Sequence, residues 1–315
     1  MTFVVLCAAC STHGKAASAD SLADPTETEA NGAAFSADSA YAYVERQVGF
    51  GPRVPNTEAH RLAGEWLVSE LKRHGAQVVE QPVTLTAFDG TRLAARNIMG
   101  RYNPDSRERL LLLAHWDCRP WADEDADESK QAMPVDGAND GASGVGVLLE
   151  IARQLGAEAP GKGVDILFVD AEDWGNSGDS DSWALGARHF VANPPIPGYT
   201  PDRVILLDMV GGKDAKFYRE YFSEQSAPDL NDLLWQTAGR IGHGDRFINR
   251  MGTGVTDDHL EFIKAGVQAV DIIEYRPGTG FNEHWHTSHD NMEGISRETL
   301  GAVGKTVMTF LRDNY

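Results

Sequence analysis

The stretch Val164-Asp165-Ile166-Leu167-Phe168-Val169-Asp170-Ala171-Glu172-Asp173-Trp174-Gly175 decides how the fold is read. Its first half is a run of apolar and β-branched residues, the composition of a strand buried on both faces of a parallel sheet. Its second half delivers two adjacent carboxylates and then a glycine. In open α/β sheets, ligands bind just beyond the carboxyl ends of the strands. Two acids held together there repel unless a cation or a shared proton offsets the repulsion. Glu172 and Asp173 therefore read as a base beside a metal ligand, and the remaining ligands are expected elsewhere in the chain.

Outward from that strand the pattern alternates. Arg109 to His115, Arg203 to Asp208 and Val267 to Tyr275 are further apolar runs. Gln77 to Ala87 and Leu93 to Tyr102 read as edge strands. Between and around them lie helical segments. The first begins near Ser36. Asn56 is expected to cap the second, which carries Leu62, Trp66, Leu67 and Leu71 at helical spacing. Another follows Gly137-Ala138-Asn139-Asp140-Gly141-Ala142-Ser143-Gly144, and others span Trp183 to Ala192, Asp229 to Ile241, Asp258 to Ala265 and Ser296 to Leu311. Strands alternating with helices imply an α/β fold: a single domain, residues 36–315, with a mostly parallel twisted sheet flanked by helices.

At 315 residues the chain buries a full core, and its 42% hydrophobic and 24% charged shares are ordinary for a globular protein. A net charge of −19 argues against nucleic acid as a partner, because phosphate binding needs a basic surface. Residues 1–35 read differently. Phe3-Val4-Val5-Leu6-Cys7-Ala8-Ala9-Cys10-Ser11 resembles a bacterial lipoprotein signal, with Cys10 the residue to be lipidated. The Ala-, Ser-, Thr- and acid-rich segment after it reads as a tether. The expectation is an exported protein, periplasmic or anchored to the outer membrane, touching membrane only through that lipid. With Cys118 the third cysteine, no internal disulfide is expected.

Acids and histidines recur at one structural address, the end of a strand or the loop after it. His115 and Asp117 end one strand, Glu172 and Asp173 another, and Asp208 a third. Asp140 sits in the glycine-rich turn, Asp257-Asp258-His259 opens a helix, and His284-Trp285-His286 precedes the last helix. Asp140 alone also reads as a helix cap, and His284, His289 and His243 read as structural. Mixed carboxylate and imidazole donors suit Zn²⁺, and Asp140, Asp173 and His286 leave one coordination position open. Asp290 or Asp117 is available to orient a ligating histidine.

Taken together, His115-x-Asp117, Gly137-Ala138-Asn139-Asp140, Ala171-Glu172-Asp173, Leu207-Asp208 and Trp285-His286-Thr287 resemble the zinc-dependent aminopeptidase clan. Asp208-Met209-Val210-Gly211-Gly212-Lys213-Asp214, Val255-Thr256-Asp257-Asp258-His259 and Glu283-His284-Trp285-His286-Thr287 more narrowly resemble bacterial glutaminyl-peptide cyclotransferases of the animal-like, zinc-containing type. That resemblance implies conversion of an N-terminal glutamine of peptides or proteins into pyroglutamate with release of ammonia. It implies one zinc on Asp140, Asp173 and His286, with Glu172 as general acid/base and Asp208 and Asp257 as two further acids. Trp285 matches an aromatic wall of the substrate site, and Trp183 or Trp174 is expected as its counterpart. Animal members carry Glu–Glu where this chain has Glu172-Asp173. A monomer is expected. Two alternatives stand beside this reading. One is a two-zinc aminopeptidase using His115, Asp140, Asp173, Asp208 and His286 as ligands. The other is a lipid-anchored binding protein without catalysis.

Overall fold

Strand by strand, the apolar runs of the sequence become the sheet of the protein, seen here in a computed structural model. Residues 1–2 and 34–315 are described; the leader and tether read at 3–33 lie outside the described residues. The strands are β1 (Gln77–Thr86), β2 (Arg92–Tyr102), β3 (Arg109–His115), β4 (Gly163–Val169) and β5 (Arg203–Asp208), then a short pair β6 (Phe217–Arg219) and β7 (Phe247–Met251), then β8 (Gln268–Ile273) and a hairpin β9 (Tyr275–Arg276) and β10 (Gly280–Phe281). The helices are α1 (Ala37–Val48), α2 (Glu58–Arg73), α3 (Ala142–Ala157), α4 (Leu185–Ala192), α5 (Tyr221–Ser226), α6 (Pro228–Arg240), α7 (His259–Lys264) and α8 (Arg297–Asn314).

The main sheet has the order β1-β2-β4-β3-β5-β8. The β4–β3, β3–β5 and β5–β8 pairings are parallel, and β1–β2 and β2–β4 are antiparallel. The fold is thus the mostly parallel α/β arrangement read from the sequence. Only β1 of the first two strands is an edge. β2, also read as one, is paired on both sides, and Ile98 and Met99 on it are buried.

Alternation along each strand divides two apolar layers, because successive side chains leave opposite faces. Leu110, Leu112, Ile166, Phe168, Ile205, Leu207 and Ile272 pack with α1, α2, α3 and α8. Leu111, Leu113, Leu167, Val169, Val204 and Leu206 pack with α4 and α7 on the other face. Asp165, inside buried β4, accepts hydrogen bonds from Arg109 Nε at 2.7 Å and from the Tyr199 hydroxyl at 2.8 Å. Such pairing is what makes an acid tolerable in the core.

Two local readings change. Thr57, not Asn56, caps α2, accepting from His60 N. Asn56 has φ 75° and instead bridges to β2, donating to Arg92 O at 3.0 Å and accepting from Ala94 N at 2.8 Å. The helix read from Trp183 starts at Leu185, because Ala184 turns the chain through φ 55°. At the start of α3, a Cβ on Gly144 would overlap the Leu207 carbonyl, so glycine alone lets this helix sit against β5.

Candidate active site

The carboxyl ends of β4, β5 and β8 meet at one pocket of about 300 Å³. Asp140, Glu172, Asp173, Trp183, Asp208, Asp257, Trp285 and His286 all line it, so the ligands, acids and one tryptophan pair that the cyclase resemblance implies are brought together.

Three acids at this end capture the backbone N–H of the residue that follows. Asp170 accepts from Ala171 N and Asp208 from Met209 N, each at 2.8 Å, and Asp257 from Asp258 N at 2.5 Å. These contacts turn the chain sharply off each element. Ala171, Met209, Ala184 and His286 adopt φ values of 54°, 47°, 55° and 54°. The left-handed region costs a non-glycine residue roughly 1–2 kcal/mol. Four such residues around one pocket mark where packing has been arranged for function rather than for stability.

Asp140, Asp173 and His286 are buried and offer ligand atoms within 4.8 Å of one another. Asp173 Oδ1 lies 3.0 Å from His286 Nε2, and Asp140 Oδ2 lies 3.7 Å from it. Both Asp173 oxygens and His286 Nδ1 lack a hydrogen-bond partner although fully buried. Orphaned buried carboxylate oxygens are costly unless something else satisfies them. Two carboxylates and an imidazole fit a zinc ion. Asp140 does not cap α3, whose cap is Gly141 without a side-chain bond. It reaches instead to His115, whose Nε2 lies 2.9 Å from Asp140 Oδ1 and 3.2 Å from Asp208 Oδ1. His115, Asp140 and Asp208 form a second donor group sharing Asp140.

Neither carboxylate expected to orient a histidine faces His286. Asp117 accepts from Glu172 N at 3.1 Å and Asp173 N at 3.2 Å, and lies 3.5 Å from His115 Nδ1. Asp290 accepts from Asn139 N at 2.7 Å and Asp140 N at 3.1 Å. Both hold the ligand loops by their backbones. Facing His286 Nδ1, at 3.6 Å, is Asp123, which the sequence reading missed. It sits in an acidic loop with no periodicity to mark it.

Burial pushes the Glu172 carboxyl well above the usual range, with Asp173, Asp257 and Asp258 adding to it against the pull of His115. Asp257 rises to about 7 through burial and the neighbouring Asp208. Behind Asp257 lie Asp258, Asp271, His259 and Glu220, all buried. His259 Nε2 is 3.2 Å from Glu220 Oε2, and the Asp258 and Asp271 carboxylates make no hydrogen bond. Burial and the neighbouring Asp257 raise both of these acids well above the usual range. Only the Asp257-Asp258-His259 run of this cluster was visible in the sequence.

Aromatic rings flank the metal-type donors. Trp285 stacks on His286 at 3.6 Å between centroids, and Phe281 stacks behind Trp285 at 4.4 Å. Trp183 lies parallel to His286 at 5.9 Å. Of the two tryptophans left open, Trp183 therefore faces the pocket. Trp174 turns away, edge-on to Trp121 and donating to Asp89 at 3.3 Å. His243, His284 and His289 do not line the pocket.

A parallel α/β sheet with acids and histidines at its strand ends defines the class of metal-dependent exopeptidase-like enzymes. The chain belongs to peptidase family M28, whose profile matches residues 97–311. It is similar to a solved glutaminyl cyclase from Bacteroides thetaiotaomicron bound to N-acetylhistamine: 48% identity and a TM-score of 0.88, covering 90% of this chain and 100% of that one. A Zn-dependent exopeptidase from Parabacteroides distasonis is 52% identical with a TM-score of 0.87, covering 89% and 99%. Among curated relatives, the bovine glutaminyl-peptide cyclotransferase is 24% identical over 302 residues, 82% of this chain and 77% of that one. An aminopeptidase of Bacillus subtilis is 27% identical over 266 residues, 81% of this chain, which spans 52% of that protein's length.

Proposed function

We propose that this chain is a zinc-dependent glutaminyl-peptide cyclotransferase, converting the N-terminal glutamine of peptides or proteins into pyroglutamate and ammonia. One observation carries the reading. A pocket of about 300 Å³ sets Glu172, Asp208 and Asp257 beside the Asp140–Asp173–His286 donors, between Trp183 and Trp285. That volume is at the small end of ligand pockets, which run to about 300–1,000 Å³. Relatives named as cyclases, bacterial and animal, support the same activity.

The nucleophile is the substrate's own α-amine. It attacks the γ-carboxamide carbon, a C–N bond closes the five-membered ring, and the bond to the leaving ammonia breaks. Asp140, Asp173 and His286 would hold a zinc ion, which would supply Lewis-acid polarisation of the carboxamide. Glu172 takes the proton from the attacking amine and returns it to the departing nitrogen, a task suited to a carboxyl raised toward neutrality. Asp257, lifted to about 7 by burial and the neighbouring Asp208, holds a proton that it presents to the reacting centre, and Asp208 lines the same pocket. Trp183 and Trp285 confine the glutamine side chain in the folded conformer that the ring closure needs.

The alternative of a two-metal aminopeptidase rests on the His115–Asp140–Asp208 group. One zinc is the better fit. Asp208 Oδ1 is already engaged by Met209 N and His115 Nε2, at 2.8 and 3.2 Å, whereas both oxygens of Asp173 lack a hydrogen-bond partner. Incubation with a Gln-Xaa peptide separates the readings. Loss of one ammonia from the peptide, abolished by a chelator and restored by zinc, is expected. Release of free glutamine, with two zincs per chain, would establish the peptidase.

The leader read at residues 1–35 supports an exported enzyme held by a lipid on Cys10 and acting on extracytoplasmic peptides. Labelled palmitate should enter the wild-type chain in a bacterial host and fail to enter Cys10→Ala. Equal labelling of both would dismiss the anchor.

A further inference from the structure

Arg119, in the loop after β3, is 2% exposed and has no part in the steps above. All three of its guanidinium nitrogens are engaged. Nη1 donates to Asp173 O at 3.0 Å and Gly175 O at 2.9 Å. Nε and Nη2 fork onto Asp123 Oδ1 and Oδ2 at 3.0 and 2.6 Å. Two indoles flank it as well, with Cζ 4.9 Å from the ring centroids of Trp121 and of Trp183. Nη1 lies 3.8 Å from Asp173 Oδ1, and Asp123 Oδ1 lies 3.6 Å from His286 Nδ1. Gly175, whose carbonyl Arg119 holds, is the residue on which the Trp183 ring rests. A Cβ there would overlap the indole.

We infer that Arg119 is a positioning residue for the cyclisation, fixing in one frame the metal ligand Asp173, the pocket wall Trp183 and, through Asp123, the metal ligand His286. The contacts need a planar cation whose forked edge meets Asp123 and whose Cζ lies over two indole rings. Lysine offers no fork and no planar group, so retention of charge alone does not replace it. The charge itself works against a cation a few ångströms away, since like charges repel in a low-dielectric site. Two effects of opposite sign are thus separable. If charge dominated, removing it would tighten zinc binding. If positioning dominates, any substitution loosens it.

The test compares Arg119→Lys, Arg119→Met and Asp123→Asn with the wild type. Zinc affinity is read by competition with a fluorescent chelator, and KM and kcat on a Gln-Xaa peptide at saturating zinc. Both Arg119 variants should bind zinc roughly 10- to 100-fold more weakly, the usual effect of losing a group that orients a ligand. They should also raise KM more than they lower kcat, because the Trp183 wall is displaced. Asp123→Asn, which keeps the stacking, should weaken zinc with KM little changed, and it carries the test if the Arg119 variants do not fold. Tighter zinc in Arg119→Met would overturn the inference. So would wild-type zinc affinity and KM in Arg119→Lys with only a lower melting temperature, or unaltered zinc affinity in Asp123→Asn. The KM arm rests on the cyclase reading and the zinc arm does not. A wild type that cyclises nothing would remove that reading while leaving the metal comparison intact.

Discussion

Glu172 stands where burial and three neighbouring acids lift its carboxyl, beside a donor group that a cation would occupy. Changing it to glutamine keeps the shape and removes the proton traffic. Glu172→Gln should therefore lower kcat roughly 100- to 10,000-fold, the span of a positioned acid–base group, with zinc still bound as in the wild type. Ammonia release and metal analysis read the two quantities, and undiminished turnover would strip Glu172 of its role. At this scale the sequence was highly legible for acids at strand ends. Asp140, Asp173, Asp208 and Asp257 carry their signal in their position after an apolar run or in a glycine-rich turn. Partners such as Asp123, Glu220 and Asp271 do not. Asp271 lies inside β8 and Asp123 inside an irregular loop, and only the tertiary fold brings them near His286 or His259.

Long periodic elements were readable and short ones were not. β3, β4, β5, β8, α3, α6 and α8 fall on the segments that apolar runs or helical spacing mark. β6, β7, β9 and β10 are five residues or fewer, too short for a period to register. The pocket also depends on how closely the elements approach. Gly144 lets α3 touch the end of β5, just before Asp208. Gly144→Ala forces helix and strand apart, and overpacking of this kind costs about 1–3 kcal/mol. Denaturant unfolding should show a loss of that size together with reduced activity, as Asp208 shifts. Full stability and full turnover in the variant would mean that the contact yields without consequence.

For the molecule as a whole, the acids gathered at one end of the sheet make stability depend on pH and metal. Burial lifts Asp257 and Asp290 from 3.8 to about 7, with Asp208 and Asp140 respectively adding to it. The folded, metal-free protein therefore holds protons that the unfolded chain has already released. Stability falls as pH rises through the window from about 4 to about 7. His115 and His286 act in the same sense. Against the cost of burial, their carboxylate neighbours raise both, so the stability they contribute at low pH fades as pH rises through their folded values. Metal-free protein should melt at a lower temperature at about pH 8 than at about pH 5.5, and zinc should recover most of the difference because its ligands bind deprotonated. Calorimetry with and without zinc checks this, and a metal-free protein more stable at the higher pH would contradict it.

The proposed activity depends on a single cation gripped by two aspartates and a histidine beside a proton-carrying glutamate. A zinc-edge anomalous difference map from crystals of the zinc-loaded protein tests that claim most directly. One peak is predicted, within bonding distance of Asp140, Asp173 and His286. A second peak of equal height between His115, Asp140 and Asp208, or no peak at the first position, would contradict it.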